Sequence, residues 1–452
     1  ASYYAGYIEY EQGNYDDAVA DLQRAGENPS YENVVPGMVA SIYYNQGKYD
    51  EVIAYSEKVL GGNTRVNEKD FYLLTADSYL FKEQYAKADE FYTRYQNNVS
   101  NPAAPVRYRI GFTKYKLGDD TAAIEEFKRS ASKKDSIGIY SSYYLGILYL
   151  KEGNKLYALT AFDNARKSEL GGPLVEESAY QYAKVAWAAG RTEEAINSMN
   201  EFVAAYPQSA HLDEVNDLLS NAYLNSNNYN LAIEHIEKMP QVNRNLQGIY
   251  QKATYLKGAE EFNKENYKQA TALFEKSLKY TPDPQYTILA NTWAGEAYSV
   301  ERSFEEAIPY YRKALAIGDN SPITNQARYG LGYAYYNTKQ YDQALSQFMA
   351  YTNSLRNATN KQYYTDALLR VADCYYVDKQ YSKALDYYRQ AIKENTVDGD
   401  YAHLQAGVML GILGDVDEAG REYNYLSDNY PDSRYADDAL YQRGQLNFEK
   451  GN

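Results

Sequence analysis

The stretch ARYGLGYAYYNTKQYDQALSQF (Ala327–Phe348) decides the fold. Gly332 stands seven residues before Lys339, Ala344 five residues after it, and the large apolar Phe348 four residues further on. Read outward, the pattern returns along the whole chain at intervals of roughly 34 to 40 residues, the period of a repeat architecture. The segments centred on the turn read GNYDDAV (Gly13–Val19), GKYDEVI (Gly47–Ile53), EQYAKAD (Glu83–Asp89), GDDTAAI (Gly118–Ile124), GNKLYAL (Gly153–Leu159) and GRTEEAI (Gly190–Ile196). They continue as NNYNLAI (Asn227–Ile233), ENYKQAT (Glu265–Thr271), RSFEEAI (Arg302–Ile308), KQYDQAL (Lys339–Leu345), KQYSKAL (Lys379–Leu385) and GDVDEAG (Gly414–Gly420).

Two positions are restricted to small side chains. The first, upstream of the turn, is Gly6, Ala40, Ala76, Gly111, Gly146, Ala183, Ser220, Gly258, Gly295, Gly332, Ala372, Gly407 and Gly444. The second, after it, is Ala18, Val52, Ala88, Ala123, Ala158, Ala195, Ala232, Ala270, Ala307, Ala344, Ala384 and Ala419. A glycine inside a helix costs roughly 1 kcal/mol relative to alanine, so its recurrence at one register demands a packing reason. Two helices that cross closely supply it, because a larger side chain would hold their axes apart. Four residues after the second position comes a large apolar residue in most copies, among them Tyr92, Phe127, Phe162, Phe274, Tyr311, Phe348, Tyr388 and Tyr423. That is the spacing of an inward helical face.

These features resemble the tetratricopeptide repeat, a helix A–turn–helix B unit of about 34 residues. The resemblance covers essentially the whole chain and implies an all-α, right-handed α-α superhelix. The expected repeats span about 1–32, 33–68, 69–103, 104–138, 139–175, 176–212, 213–250, 251–287, 288–324, 325–364, 365–399 and 400–436, with a partial thirteenth over 437–452, in one solenoid. Most intervals exceed 34 residues, and the excess is expected in helix B or in the loop that follows it. Breakers such as Pro105, Gly171-Gly172-Pro173 and Pro322 are expected in those loops. Asn353–Gln362 is the expected irregular joint, and Pro309 is expected early in a helix B.

Composition narrows the function classes. A net charge of −15 argues against non-specific nucleic-acid binding. Against that trend, Arg107–Lys155 is locally basic, which reads as a solvated face or a docking patch for an acidic partner. No apolar run is long enough to span a bilayer. The chain opens at Ala1 without methionine and closes inside a helix A, so it is expected to be part of a longer protein or a processed product. The single cysteine, Cys374, is expected to be a packed, inert thiol.

No catalytic constellation is visible, so the chain is not expected to be an enzyme. His211, His235 and His403 are far apart and have no cysteine partners, which argues against a metal site. No cofactor motif occurs. The pairs Glu125-Glu126 and Glu305-Glu306 are expected in the first turn of a helix B, where they complement the helix dipole.

Tyrosine is the anomaly, at 54 of 452 residues. Many of these rings fall on repeat positions where they pack between helices with the hydroxyl in water. Others fall where the resemblance implies a concave groove: three before, one after and four after the small position of helix A. There stand Tyr3, Tyr7 and Tyr10; Tyr44; Tyr108, Phe112 and Tyr115; Tyr143; Tyr180, Lys184 and Trp187; and Tyr329, Tyr333 and Tyr336, with Lys116 and Lys151 beside the row. Such a surface suits a peptide, since aromatic residues dominate interface energetics. The alternative is that the rings pack along neighbouring helices. The family's carboxylate-clamp pattern is not reproduced.

Two segments, FVAAYPQSAHLDEV (Phe202–Val215) and YLSDNYPDSRYADDALY (Tyr425–Tyr441), are similar to repeats of bacterial envelope lipoproteins that assist outer-membrane assembly, and of the Tol–Pal coordinator. The resemblance implies a non-enzymatic scaffold for protein or peptide partners in the periplasm or at the outer membrane. The alternatives are a cytoplasmic peptide-sensing module, or the repeat part of a larger enzyme or transport component.

Overall fold

The structure, a computed structural model, describes residues 1–62, 66–132, 134–318, 321–355 and 361–449. Twenty-five helices form among them. The helices in the A position are α1 (Ser2–Glu11), α3 (Val35–Asn45), α5 (Glu68–Phe81), α7 (Ala104–Leu117), α9 (Ser136–Lys151), α11 (Pro173–Ala188) and α13 (Leu212–Asn225). They continue with α15 (Arg244–Asn263), α17 (Pro284–Val300), α19 (Pro322–Asn337), α21 (Gln362–Val377), α23 (Gly399–Leu413) and α25 (Ala436–Glu449). The B helices are α2 (Tyr15–Gly26), α4 (Tyr49–Leu60), α6 (Tyr85–Asn98), α8 (Asp120–Ser130), α10 (Lys155–Arg166) and α12 (Thr192–Ala205). The remaining B helices are α14 (Tyr229–Glu237), α16 (Tyr267–Ser277), α18 (Phe304–Ile317), α20 (Tyr341–Ser354), α22 (Tyr381–Glu394) and α24 (Val416–Asn429). The fold is an all-α repeat solenoid. It divides into two compact units, Ala1–Ala222 and Tyr223–Asn452, and each is a stack of helix pairs.

Each A-to-B turn has one construction. The turn residue is left-handed in all twelve copies, by glycine at positions such as Gly13 (φ 82°) and by an ordinary residue at Glu83, Asn227, Glu265, Arg302, Lys339 and Lys379. The next residue's N–H then reaches back across the turn, as in Asn14 to the Glu9 carbonyl (2.8 Å) and Gln340 to the Tyr335 carbonyl (2.8 Å). This is the Schellman closure, which satisfies carbonyls that the helix end leaves free.

The small positions face a ring. A Cβ built on Gly146 would lie 2.5 Å from the Phe162 ring, and one on Gly295 would lie 2.7 Å from Tyr311. Gly258 meets Phe274 and Gly332 meets Phe348 in the same way, while Gly111 approaches Phe127, Gly407 approaches Tyr423 and Gly6 approaches Leu22. Helix A is therefore bare where the side chain four residues after the helix-B alanine lies flat against it. Those alanines (Ala18, Ala88, Ala123, Ala158, Ala195, Ala232, Ala270, Ala307, Ala344, Ala384, Ala419) have no exposed surface.

Several expectations are corrected. The residues beyond 34 extend helix A in repeats eight and nine, where α15 runs 20 residues and α17 runs 17, while the B helices stay between 9 and 14; in the longest repeat interval the excess falls after helix B as expected, between Ser354 and Gln362. α15 and α9 start upstream of the sequence boundaries at 251 and 139 because capping side chains begin them early, Asn243 accepting from the Leu246 N–H (2.9 Å) and Asp135 from the Gly138 N–H (3.0 Å). Pro105, Pro173 and Pro322 stand in the first turn of helix A and not in loops, where their missing N–H is harmless. Pro309, however, stands inside α18. Glu125 and Glu126 sit in the middle of α8, not in its first turn, and hold Lys128 (3.1 Å) and Arg107 (3.0 Å). The joint expected within Asn353–Gln362 lies partly outside the described residues.

Candidate functional site

In the first unit, the row of helix-A rings is partly consumed by packing. Tyr3 stacks on Tyr31 at 4.5 Å, and the Tyr10 oxygen accepts from Asn45 Nδ2 at 3.1 Å. Tyr7 is 46 % exposed. Tyr44 lies between Tyr49 and Phe81, and burial first pushes its hydroxyl up to about 12. In repeats four and five a ring outside the expected row, Tyr144, organises the others. It lies 5.4 Å from Phe112, 5.2 Å from Tyr115, 5.4 Å from Tyr143 and 6.4 Å from Tyr108. Tyr108 is thus a packed ring, and burial raises its hydroxyl well above the ordinary range. Lys116 is exposed, over the faces of Tyr85 and Phe112.

Repeat six carries a polar network on the same face. Tyr180, expected on the binding surface, is buried instead: it stacks on His211 at 3.8 Å and donates to Glu214 (2.5 Å). Lys184 donates to the Tyr180 oxygen (2.7 Å) and pairs with Glu214 (2.9 Å), and His211 meets Glu177 at 2.9 Å. The hydrogen bonds from Tyr180 and Lys184 hold the Glu214 carboxyl below its usual value. Trp187 is half-buried on the same helix.

The basic excess between Arg107 and Lys155 is largely spent within the chain. Arg109 pairs with Asp77 (2.9 Å), Lys114 with Asp89 (2.8 Å) and Lys151 with Asp120 (2.5 Å), in addition to the Arg107 and Lys128 pairs. Lys155 donates to the Ala188 carbonyl (2.6 Å).

The second unit gathers the remaining tyrosines around carboxylates. Tyr329 and Tyr333 both donate to Asp366 Oδ2 at 2.6 Å. Asp373 accepts from Tyr388 (2.7 Å) and Tyr401 (2.8 Å) on one oxygen, and from Arg370 (2.5 Å) and Tyr336 (3.4 Å) on the other. Burial works against the Arg370 charge, but Asp373 and Asp366 outweigh it and keep the guanidinium protonated. Cys374, next in sequence, is 2 % exposed, and burial pushes its thiol up to about 12, as suits an inert side chain.

The sequence reading missed a rule that these contacts expose. In three repeats the residue after the helix-A small position is acidic: Asp77, Glu296 and Asp373. In those repeats the helix-B residue against the small position is tyrosine, and its hydroxyl binds that acid: Tyr92 to Asp77 (2.5 Å), Tyr311 to Glu296, and Tyr388 to Asp373. Where the acid is replaced by Phe112, Ile147, Lys184, Asn221, Ala259 or Tyr333, the helix-B residue is Phe127, Phe162, Met199, Ile236, Phe274 or Phe348, none with a hydroxyl. The covariation is legible in the sequence once the two positions are read together. Tyr423, opposite Val408, departs from it.

Among the described residues no group of histidine, cysteine, aspartate and glutamate is placed to hold a metal ion. No helix among them is long and apolar enough to cross a membrane. What the helix-A face offers is large half-exposed rings, fixed by hydrogen bonds and flanked by charges of both signs, an arrangement suited to recognition.

Models of the tetratricopeptide repeat match residues 143–210 and 294–354, and a second such model matches 1–30 and 366–395. In those segments the chain carries tetratricopeptide repeats, a repeat whose general role is protein interaction. Tetratricopeptide repeat protein 21B of Xenopus laevis is 22% identical over 419 residues, which is 91% of this chain and 26% of that protein. The chain therefore spans about a quarter of that relative's length. Similar solved structures include Naa15/Naa10 bound to HypK-THB (TM-score 0.40, 16% identity, 99% of this chain and 66% of that one). YrrB, described as a repeat protein with an unusual peptide-binding site, gives 0.37 and 22% over 47% of this chain and 97% of its own. Yeast Tom70 gives 0.33 and 16% over 99% and 95%.

Proposed function

We propose that the protein is a non-enzymatic scaffold that binds an extended peptide or an unfolded segment of a partner along its helix-A face. One observation carries this reading. The register positions three before, one after and four after the small residue bear rings and charges that neighbouring side chains lock in place, as Asp366 locks the half-buried Tyr329 and Tyr333. A rigid amphipathic ring loses little entropy on binding, so a fixed row of them favours affinity. The half-buried Phe112, Tyr115, Tyr143 and Trp187, with exposed Tyr7 and Tyr140, would form the first unit's contact strip.

A photo-cross-linking residue placed at Tyr140 or Lys116 tests the face, compared with one at Leu156 or Tyr157, which are exposed on a B helix. Native-cell extracts should give discrete adducts from the first pair and none from the second. Adducts from the B-helix pair alone would move the binding surface to the opposite side.

The setting belongs to the same proposal: a bacterial envelope assembly, in the periplasm or at the outer membrane. It is supported by the likeness of Phe202–Val215 and Tyr425–Tyr441 to envelope lipoprotein repeats. Fractionation of the source cell tests it, and recovery in the cytosol alone would favour a cytoplasmic module.

A further inference from the structure

Asp77, Glu296 and Asp373 occupy one register position in three repeats and each accepts a tyrosine hydroxyl from its own helix B, yet their charges are handled differently. Asp77 is met by Arg109 (2.9 Å) and Asp373 by Arg370 (2.5 Å). Among the described residues no ion pair reaches Glu296, whose side-chain hydrogen bonds come from Tyr311 and Gln326.

The register shows why. Arg109 stands two residues before the small position of the following helix A, and Arg370 two before the small position of its own. Around Glu296 these two places are Gly330 and Trp293. Gly330 has no room for a longer side chain, since a Cβ there would lie 2.5 Å from Tyr311 Cζ. Of the basic residues on the flanking helices, Lys257 is held by Glu260 and Glu261, and Arg328 donates to Asn325. A partly buried carboxylate without a cation is unfavourable, and burial accordingly raises the Glu296 carboxyl. Asp77 and Asp373 are 3% and 4% exposed, whereas Glu296 keeps an intermediate exposure.

We propose that Glu296 receives its cation from the partner: the helix-A face of repeats nine and ten binds a peptide through an arginine or lysine side chain. The proposal rests on the peptide-binding reading of that face and specifies its chemistry. Phe262, in the place that Tyr44 and Tyr336 hold beside the other two acids, packs edge-on to Trp293 at 5.0 Å. By register the two rings flank the carboxylate and offer apolar surface to the stem of a basic side chain.

Selection of a random peptide library on the full chain tests this. The expected result is a family of binders with a basic residue at one fixed position. Their affinity should fall at least about tenfold on Glu296→Gln, the loss of one charge-assisted hydrogen bond. Gln326→Arg, which brings an internal cation to Glu296, should weaken the same peptides while the thermal midpoint holds or rises. Selected peptides without a basic residue, or binding to both variants within about twofold of wild type, would overturn the inference and leave the peptide-binding reading standing. Failure to select any peptide would remove that reading and this inference together.

Discussion

Gly146 and Gly420 are both helical glycines, and they make opposite predictions. A methyl group on Gly146 would meet Phe162 at 2.5 Å, whereas one on Gly420 meets nothing within 4 Å. Gly420→Ala should therefore stabilise the protein by about 1 kcal/mol, the ordinary helix-propensity gain. Gly146→Leu should destabilise it by roughly 1–3 kcal/mol or more, because ring and helix cannot both keep their places. Thermal melts of the two variants check the pair, and equal shifts in one direction would contradict the ring-on-glycine contact. Glu296 makes a further prediction at this scale. A carboxyl whose folded value is raised binds its proton more readily folded than unfolded, so stability declines as pH climbs from the ordinary glutamate range through that raised value. Glu296→Gln keeps the shape and removes the charge. Its melting midpoint should exceed wild type at neutral pH, and the gap should close below about pH 4, where the acid is protonated in both states. A gap that is the same at both pH values would indicate that the charge is not what destabilises.

At the scale of the element, the turn is the most uniform feature. Lys339 and Lys379 both adopt φ 61°, a conformation that disfavours side chains with a Cβ. Relief of that strain, less the greater chain entropy of glycine, should make Lys339→Gly and Lys379→Gly stabilising by roughly 0.5–1 kcal/mol each. Denaturant titration of the double variant checks this, and a loss of stability would show that the lysine side chains contribute more than the backbone strain costs. The helix pair itself was legible from Gly332, Ala344 and Phe348, because a close crossing leaves its mark as small residues at fixed offsets. Helix length was less legible. The beginning of α15 at Arg244, seven residues upstream of the period-based boundary at 251, is set by one capping asparagine, Asn243. The residues of the aromatic row lie in the A helices, but position alone did not separate a packed ring such as Tyr108 from an exposed one such as Tyr7. That depends on Tyr144, a neighbour-repeat ring that the offset rule does not include. The acid–tyrosine pairs were missed because each half lies on a different helix and reads as ordinary when taken alone.

For the whole molecule, stability within each unit is spread along the stack through contacts between neighbouring helices. Some buried clusters are local, Ala123, Phe127 and Leu148 belonging to one and Ala270, Phe274 and Ala294 to another, while a longer one runs through neighbouring repeats from Ala307 to Ala439. In such a stack the damage from one substitution should remain near its site, since each repeat answers chiefly to its neighbours. The test is hydrogen-exchange mass spectrometry on Gly146→Leu beside wild type. Loss of protection in α9 and α10, fading through α8 and α11, with α19 to α24 of the second unit unchanged, is the result that a nearest-neighbour stack of ring-on-glycine helix pairs predicts. An equal loss of protection along the entire chain would contradict it.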